Sequence, residues 1–248
     1  MSITSDEELE GMRRAGRVVA DALAAARRVV APGVTPAEID EACAAVFRMH
    51  GAVSAPRVVY DAPCTVFVSV NEAIVHGLPG RRRLQPGDIV KIDATPQLDG
   101  FIADGAITVV VPPAREPVQR LADCARDAFE HAMLAARAGL PLNGIGRAIE
   151  RVVSGRRFSV VRELTGHGVG RTIHEAPNVF NYYRRQDRQP LHEGLVLAIE
   201  PLIAAGLGRV GLAADGWTYA TLDGSLTAHH EHTIVVTNGA PILLTAAA

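Results

Sequence analysis

Four carboxylates stand in the most apolar runs of this chain, and they constrain its fold more than any other feature. Asp93 follows the alternating run of "IVKIDAT", Asp104 lies in "GFIADGAITVVV", Glu200 ends "GLVLAIE", and Glu231 opens "EHTIVVT". Strands in an apolar context normally exclude charge. Taken singly, each carboxylate has an ordinary explanation, facing solvent at a strand end or pairing with an arginine. Four at such positions change the odds, because a buried carboxylate must pair with a cation, take up a proton or bind metal. The local sequences read as offering no buried lysine or arginine beside them. A hairpin turn centred on Asp99-Gly100 in "QLDGF" predicts that Asp93 and Asp104 face each other on adjacent strands, close enough to share an ion.

The surrounding pattern is α+β. Ser5 and Glu8 read as a capping box ahead of a helix that runs to about Val30. Pro32-Gly33 then breaks the chain, Thr35 caps, Pro36 takes the first helical position, Glu38 closes a second box, and Gly51 ends that helix. "CTVFVSVNEAIVHGLPG" and "DIVKIDATPQLDGFIADGAITVVVP" read as strands. Helices are predicted from about Arg115 to Ala138 and from about Leu142 to Val153. Strands return in "SVVREL", "LVLAIEPLIAAG", "WTYATLDGS" and "HHEHTIVVT". Helices followed by antiparallel strands, twice over, predict two similar halves. No Ser/Gly/Pro linker separates them, so residues 1–248 read as one domain.

A further stretch, "LTGHGVGRTIHEAP" from Leu164 to Pro177, carries His167, His174, three glycines and Glu175. Its histidine spacing matches none of the compact zinc patterns. A metal site, a phosphate-binding loop and a glycine-rich turn all remain open on spacing alone. Four carboxylates with one histidine from this stretch suit a two-metal centre. Such oxygen-rich ligation with a single imidazole fits Mn²⁺, Fe²⁺ or Co²⁺ at least as well as Zn²⁺. Two ions about 3.5–4 Å apart would acidify a water between them, and a hydrolase is the inference.

Composition narrows the class. The chain has 48% apolar residues and a net charge of −2, as a soluble globular protein does. No run of about 18 apolar residues predicts a membrane span, and the polar, acidic start lacks the apolar core of a secretory leader. Three scattered cysteines read as reduced thiols of a cytoplasmic protein. An aromatic content of 4% argues against a base-stacking platform. The basic run Arg81 to Arg83 reads as a solvated turn, so no nucleic-acid partner is expected.

The blocks "VNEAIVHGLP", "VKIDATPQLDGFIAD", "GHGVGRTIHEAP", "LAIEPL" and "EHTIVV", in this order, closely resemble the methionine aminopeptidases of the short bacterial class. The resemblance covers nearly the whole chain. It implies the pita-bread fold: two pseudo-symmetric halves around a curved antiparallel sheet, with two divalent ions (Mn, Fe, Co or Zn) in the cleft. Carried over residue by residue, it implies that Asp93, Asp104, His167, Glu200 and Glu231 are the metal ligands. Asp104 and Glu231 would bridge the ions, Asp93 would chelate one, and His167 and Glu200 would hold the other. Glu200 is implied as the proton carrier. His76 and His174 are implied to hydrogen-bond the scissile peptide and stabilise its tetrahedral intermediate. The implied reaction is removal of the N-terminal methionine from peptides and nascent chains, by a cytoplasmic monomer with room for transient ribosome association.

Departures from the family pattern cluster around the substrate. Gly105 and Ala106 follow Asp104, where the family carries a threonine. The methionine side-chain pocket would be lined by Val59, Ala62, Phe67, Ile173 and Trp217, with Pro56 nearby and Trp217 alone retained from the family's aromatic wall. His229, His230 and His232 fall on no family ligand position and read as neighbours, while His192 and Glu175 receive no role. An X-Pro aminopeptidase of the same fold and a non-catalytic pita-bread binding protein remain as alternatives.

Overall fold

The computed structural model describes residues 1–246, so the last two residues of the expected domain lie outside the described residues. The first half comprises α1 (Asp6–Val29), α2 (Pro36–His50), β1 (Val53–Ser54), α3 (Ala55–Tyr60), β2 (Phe67–Val70) and β3 (Ala73–Val75), then β4 (Ile89–Ala94), β5 (Pro96–Leu98), β6 (Phe101–Ile102) and β7 (Gly105–Val110). The second half begins with α4 (Glu116–Ala135), α5 (Asn143–Gly155), β8 (Ser159–Val160), β9 (Thr165–Gly168) and β10 (Glu175–Phe180). It continues with β11 (Val196–Ile199), β12 (Leu202–Ala204), β13 (Val210–Leu212), β14 (Tyr219–Thr221), β15 (Thr227–His229), β16 (Glu231–Val235) and β17 (Ile242–Leu243).

Helix starts follow their capping chemistry. At α2 the Thr35 hydroxyl accepts from Glu38 N and the Glu38 carboxylate accepts from Thr35 N, with Pro36 inside and Gly51 left-handed at φ 69°. At α1 the box is displaced. Ser5 Oγ accepts from Glu8 N at 3.2 Å, but the Glu8 carboxylate accepts from the Thr4 N–H and hydroxyl, each at 2.9 Å. The sequence reading had no α3, a six-residue helix whose single apolar turn leaves too short a period to read.

The main sheet runs β10-β9-β11-β16-β7-β4-β2, with β17 added beside β16, and all its pairs are antiparallel. The first half supplies β2, β4 and β7, and the second supplies β9, β10, β11 and β16. The two halves join at β7–β16, where Glu231 stands opposite Ala106. Alternation along β4 sends Val90, Ile92 and Ala94 into the core under α1 and α2, while Ile89 joins the core under α4 and α5. Lys91 and Asp93 share the face of Ile89. Each fully buried Ile or Leu in these cores contributes about 1.5–3 kcal/mol of transfer free energy, enough to hold the sheet against the cost of the charges it carries.

The stretch from Leu164 to Pro177 is a strand, a turn and the start of a second strand rather than a glycine loop. A Cβ added at Gly166 would stand 2.5 Å from Ala198 O, and one at Gly168 would stand 2.4 Å from Ala176 O. These two glycines let β9 press between its neighbours. Only Gly170, at φ 143°, serves the turn. Glu175 closes that turn by accepting from Arg171 N at 2.8 Å and Thr172 N at 2.9 Å, and it also receives the Met1 ammonium. Burial alone would raise the Glu175 carboxyl, yet these donors hold it below its ordinary value.

Elsewhere the structure bears out several expectations. Arg82, in the basic run, pairs with Asp88 at 2.7 Å and so closes a turn. Cys43, Cys64 and Cys124 are buried free thiols. Among the described residues no helix is long and apolar enough to cross a membrane.

Candidate metal centre

The hairpin forms where the sequence places it. Asp99 at φ 51° and Gly100 at φ 77° occupy the two left-handed positions of the turn, and Leu98 pairs with Phe101. That turn fixes the register downstream, with Gln97 opposite Ile102 and Asp93 opposite Ala106. Extending the register puts Asp104 across from Thr95, whose hydroxyl donates to Asp104 Oδ1 at 2.8 Å. Asp93 and Asp104 are therefore diagonal neighbours on one face, not directly opposed as expected. Thr233 clamps the Asp104 backbone from the other half, accepting from Asp104 N and donating to Asp104 O, both at 2.8 Å. These two threonines supply hydroxyls around Asp104 in a chain that has none at Gly105. A Cβ at Gly105 would lie 2.8 Å from Val19 Cγ1, so a larger residue there requires the Val19 side chain to shift.

From the second half, β9 brings His167, the end of β11 brings Glu200, and the start of β16 brings Glu231. His167 Nε2 lies 3.5 Å from Glu200 Oε1 and 3.9 Å from Asp104 Oδ2. Its Nδ1 is 2.9 Å from Gly168 O, so the proton belongs on Nδ1 and the Nε2 lone pair faces the carboxylates. Asp104, His167, Glu200 and Glu231 are all buried, and Asp93 Oδ1 is buried with no hydrogen-bond partner.

These side chains form two groups. Asp104, His167 and Glu231 can each offer one donor atom within 4.8 Å of the others, and so can Asp93, His229 and Glu231. Glu231 belongs to both. Burial, then repulsion from neighbouring acids, holds Asp93, Glu200 and Glu231 well above the usual carboxylate range, and burial raises Asp104. Acids this perturbed are either protonated or compensated by cations. The orphaned Asp93 oxygen and the convergence of oxygen and imidazole donors fit divalent ions.

One buried cation was missed. Lys91, two residues before Asp93, is fully buried, contrary to the expectation that no such lysine lies nearby. It does not neutralise the acids. Its Nζ donates to Asn71 O at 2.8 Å and Ile89 O at 3.4 Å, so it is held by main-chain carbonyls.

The acids line a cavity of about 90 Å³ together with Val75, His76, Leu164, Thr165, His174 and Leu202. His76 sits at φ 56° with its ring 4.9 Å from that of Phe67 and 6.1 Å from that of Tyr219. Burial, then the nearby His174, pushes the His76 imidazole down to about 4, so it is neutral at physiological pH. The His174 ring lies 4.4 Å from that of His167, and its Nδ1 is 2.9 Å from the Tyr60 hydroxyl. Tyr60 has no place in the sequence reading, although it directly follows Val59 at the end of α3, where a one-residue step turns the helix by about 100°.

The expected side-chain pocket is brought together in part. Ala62, Phe67 and Cys64 form an apolar cluster with Leu78 and Trp217, and the Phe67 and Trp217 rings are 5.9 Å apart. Val59 is half exposed on α3, and Ile173 packs into the core under α1 and α2. Cys64 and Leu78 join the wall without having been singled out.

With this geometry in hand, comparison with known proteins is informative. Residues 10–238 match the model of metallopeptidase family M24. Over 247 residues the chain is 41% identical to methionine aminopeptidase 2 of Bacillus subtilis, covering 99% of each protein. The crystal structure of a methionine aminopeptidase from Thermotoga maritima superimposes with a TM-score of 0.96 at 35% identity, covering 100% of both chains. A prolidase from Pyrococcus furiosus matches with a TM-score of 0.79 at 22% identity, over 99% of this chain and 66% of that one. That last likeness shows the shared pita-bread fold alone.

Proposed function

Since this chain belongs to metallopeptidase family M24, we propose that it is a methionine aminopeptidase, releasing the N-terminal methionine of peptides and nascent chains. The observation that carries the reading is the pair of donor groups sharing Glu231 on the floor of a cavity whose walls bear His76 and His174. Full-length identity to a methionine aminopeptidase supports it over an X-Pro peptidase. The intact donor set weighs against a non-catalytic binding protein.

Asp93, Asp104, His167, Glu200 and Glu231 would hold two divalent ions, of Mn, Fe, Co or Zn. When bound, such ions polarise the scissile carbonyl and lower the pKa of the attacking water. The remaining chemistry belongs to side chains. Glu200, buried at the cavity with Oε1 3.5 Å from His167 Nε2, is placed to take a proton from the water and return it to the departing amine. His174, with Nδ1 at the Tyr60 hydroxyl, lines the cavity together with neutral His76, and an N–H of each would donate to the peptide carbonyl as charge develops. The methionine side chain would lie against Ala62, Cys64, Phe67, Leu78 and Trp217. The same reading carries a monomeric enzyme of the cytoplasm that meets nascent chains transiently at the ribosome.

Product analysis on Met-, Leu- and Ala-initiated peptides, with each of the four metals, tests the proposal. Release of free methionine is expected. With small Ala62 in the wall, Leu-initiated peptides should still be cleaved, about 10- to 200-fold less well than Met, since one methylene-scale difference in an apolar pocket is worth about 1–3 kcal/mol. Cleavage confined to X-Pro bonds, or none with any metal, would overturn the assignment.

A further inference from the structure

We propose that His229 is itself a ligand of this metal centre, giving the ion on the Asp93 side an imidazole through Nε2. The inference rests on reading the site as a metal centre, and it adds a donor beyond the five implied by family resemblance. His229 is 1% exposed, and neither ring nitrogen has a hydrogen-bond partner. Leaving two polar atoms buried and unsatisfied costs several kcal/mol unless something at the site repays it. Asp93 Oδ1, in the same donor group, is orphaned in the same way. An ion between them answers His229 Nε2 and Asp93 Oδ1 and leaves the ring proton on Nδ1.

The distances decide between an ion and a direct hydrogen bond. His229 Nε2 is 3.6 Å from Glu200 Oε2 and 3.6 Å from Glu231 Oε2. An imidazole hydrogen-bonded to a carboxylate approaches to about 2.7–2.9 Å. Two donors each about 2.1 Å from one ion, at angles from square to tetrahedral, stand roughly 3.0–3.4 Å apart. The observed 3.6 Å is too long for a hydrogen bond and lies just beyond the ligand range, a gap that an ion drawing the donors inward would close.

The ring is also aimed. The His229 backbone is fixed on both sides by Thr108, whose Oγ1 accepts from His229 N at 2.9 Å and donates to His229 O at 2.6 Å. The neighbouring histidines turn elsewhere. The rings of His230 and His232 lie 5.6 Å and 5.0 Å from that of Phe129, and His232 Nδ1 is 2.8 Å from Thr245 Oγ1. His229 alone of the three faces the acids. The centre then consists of two matched halves, Asp104 with His167 and Asp93 with His229, sharing Glu231. A second nitrogen donor shifts the preference from manganese toward cobalt and zinc.

The test is X-ray absorption on the full chain reconstituted with cobalt(II), counting imidazoles from their multiple scattering. One imidazole per ion is expected in the wild type, falling to about half in His229→Gln and likewise in His167→Gln. Calorimetric titration should show one of the two cobalt ions bound about 10- to 100-fold more weakly in His229→Gln. Stoichiometric cobalt with half an imidazole per ion in the wild type would overturn the assignment of His229 while leaving the metal centre intact. Failure of the wild type to bind cobalt would overturn the metal centre itself. The wild-type count decides the question even where a variant folds poorly.

Discussion

His167 Nε2 lies 3.5 Å from Glu200 Oε1. The closeness follows from strand register. His167 stands opposite Ala198 on β11, and Glu200 is two residues further on, so both side chains leave the same face of the sheet. An imidazole with its proton fixed on Nδ1 is thereby set against a buried acid.

Glu200→Gln keeps the volume and removes the proton-carrying oxygen. Turnover should fall by about 10²–10⁴-fold, the ordinary worth of a positioned acid–base group, while peptide affinity stays within a few-fold. Single-turnover product analysis with calorimetric peptide binding measures both. Retained turnover would place the proton transfer elsewhere.

Removing metal should destabilise the fold in a pH-dependent way. The carboxyls of Asp93, Glu200 and Glu231 are raised in the folded protein, by burial first and then by neighbouring acids, and that of Asp104 is raised by burial. Their unfolded values are about 4, so the metal-free fold is best supported below that pH. It loses this support as pH rises through the raised folded values. Chelator should therefore lower Tm more at pH 8 than at pH 5. Calorimetric scans with and without chelator show this directly, and equal drops at the two pH values would contradict it.

Tyr60→Phe removes the hydroxyl 2.9 Å from His174 Nδ1. A lost hydrogen bond of about 0.5–1.5 kcal/mol should lower kcat by roughly 2- to 10-fold through a less well-set His174, with little change in Tm because Tyr60 is largely exposed. Steady-state kinetics beside a thermal melt separate the two effects.

Asp88 ties Arg82, Gln85 N and the Asn71 side chain together, joining the two ends of the segment that carries His76. Burial would raise its carboxyl, but the Arg82 guanidinium and the two other donors hold it below its ordinary value. A depressed folded pKa means stability that is present above about pH 4 and lost as pH falls through the folded value. Asp88→Asn should cost about 1–3 kcal/mol at pH 7 and progressively less toward pH 3. Urea melts across that range provide the measurement.

Much of this was legible in the sequence. Thr35-Pro36-x-Glu38 spelled a helix start, and Asp99-Gly100 spelled a two-residue hairpin turn, because both signals are local hydrogen-bonding and backbone rules. The acids in apolar strands announced a site, and family resemblance supplied roles for them. Other features were not legible. "LTGHGVGRTIHEAP" read as a loop because glycine loosens a chain locally, whereas Gly166 and Gly168 are required by the carbonyls of Ala198 and Ala176 on neighbouring strands.

His229 shares the parity of Glu231, and that was the one available signal that it faces the acids. The chain breaks between β15 and β16 at His230, so alternation could not be carried safely across. By itself, then, the sequence determined the α+β order, the hairpin and the acids that had to be compensated. The diagonal placement of Asp93 and Asp104 follows from the register of that same turn. Tertiary structure alone decided that Lys91 is spent on the carbonyls of Asn71 and Ile89. It alone brought Tyr60 to His174 and His229 to Glu200 and Glu231. The physical reason is common to all three: each depends on the approach of separate segments, set by how two cores pack around one sheet.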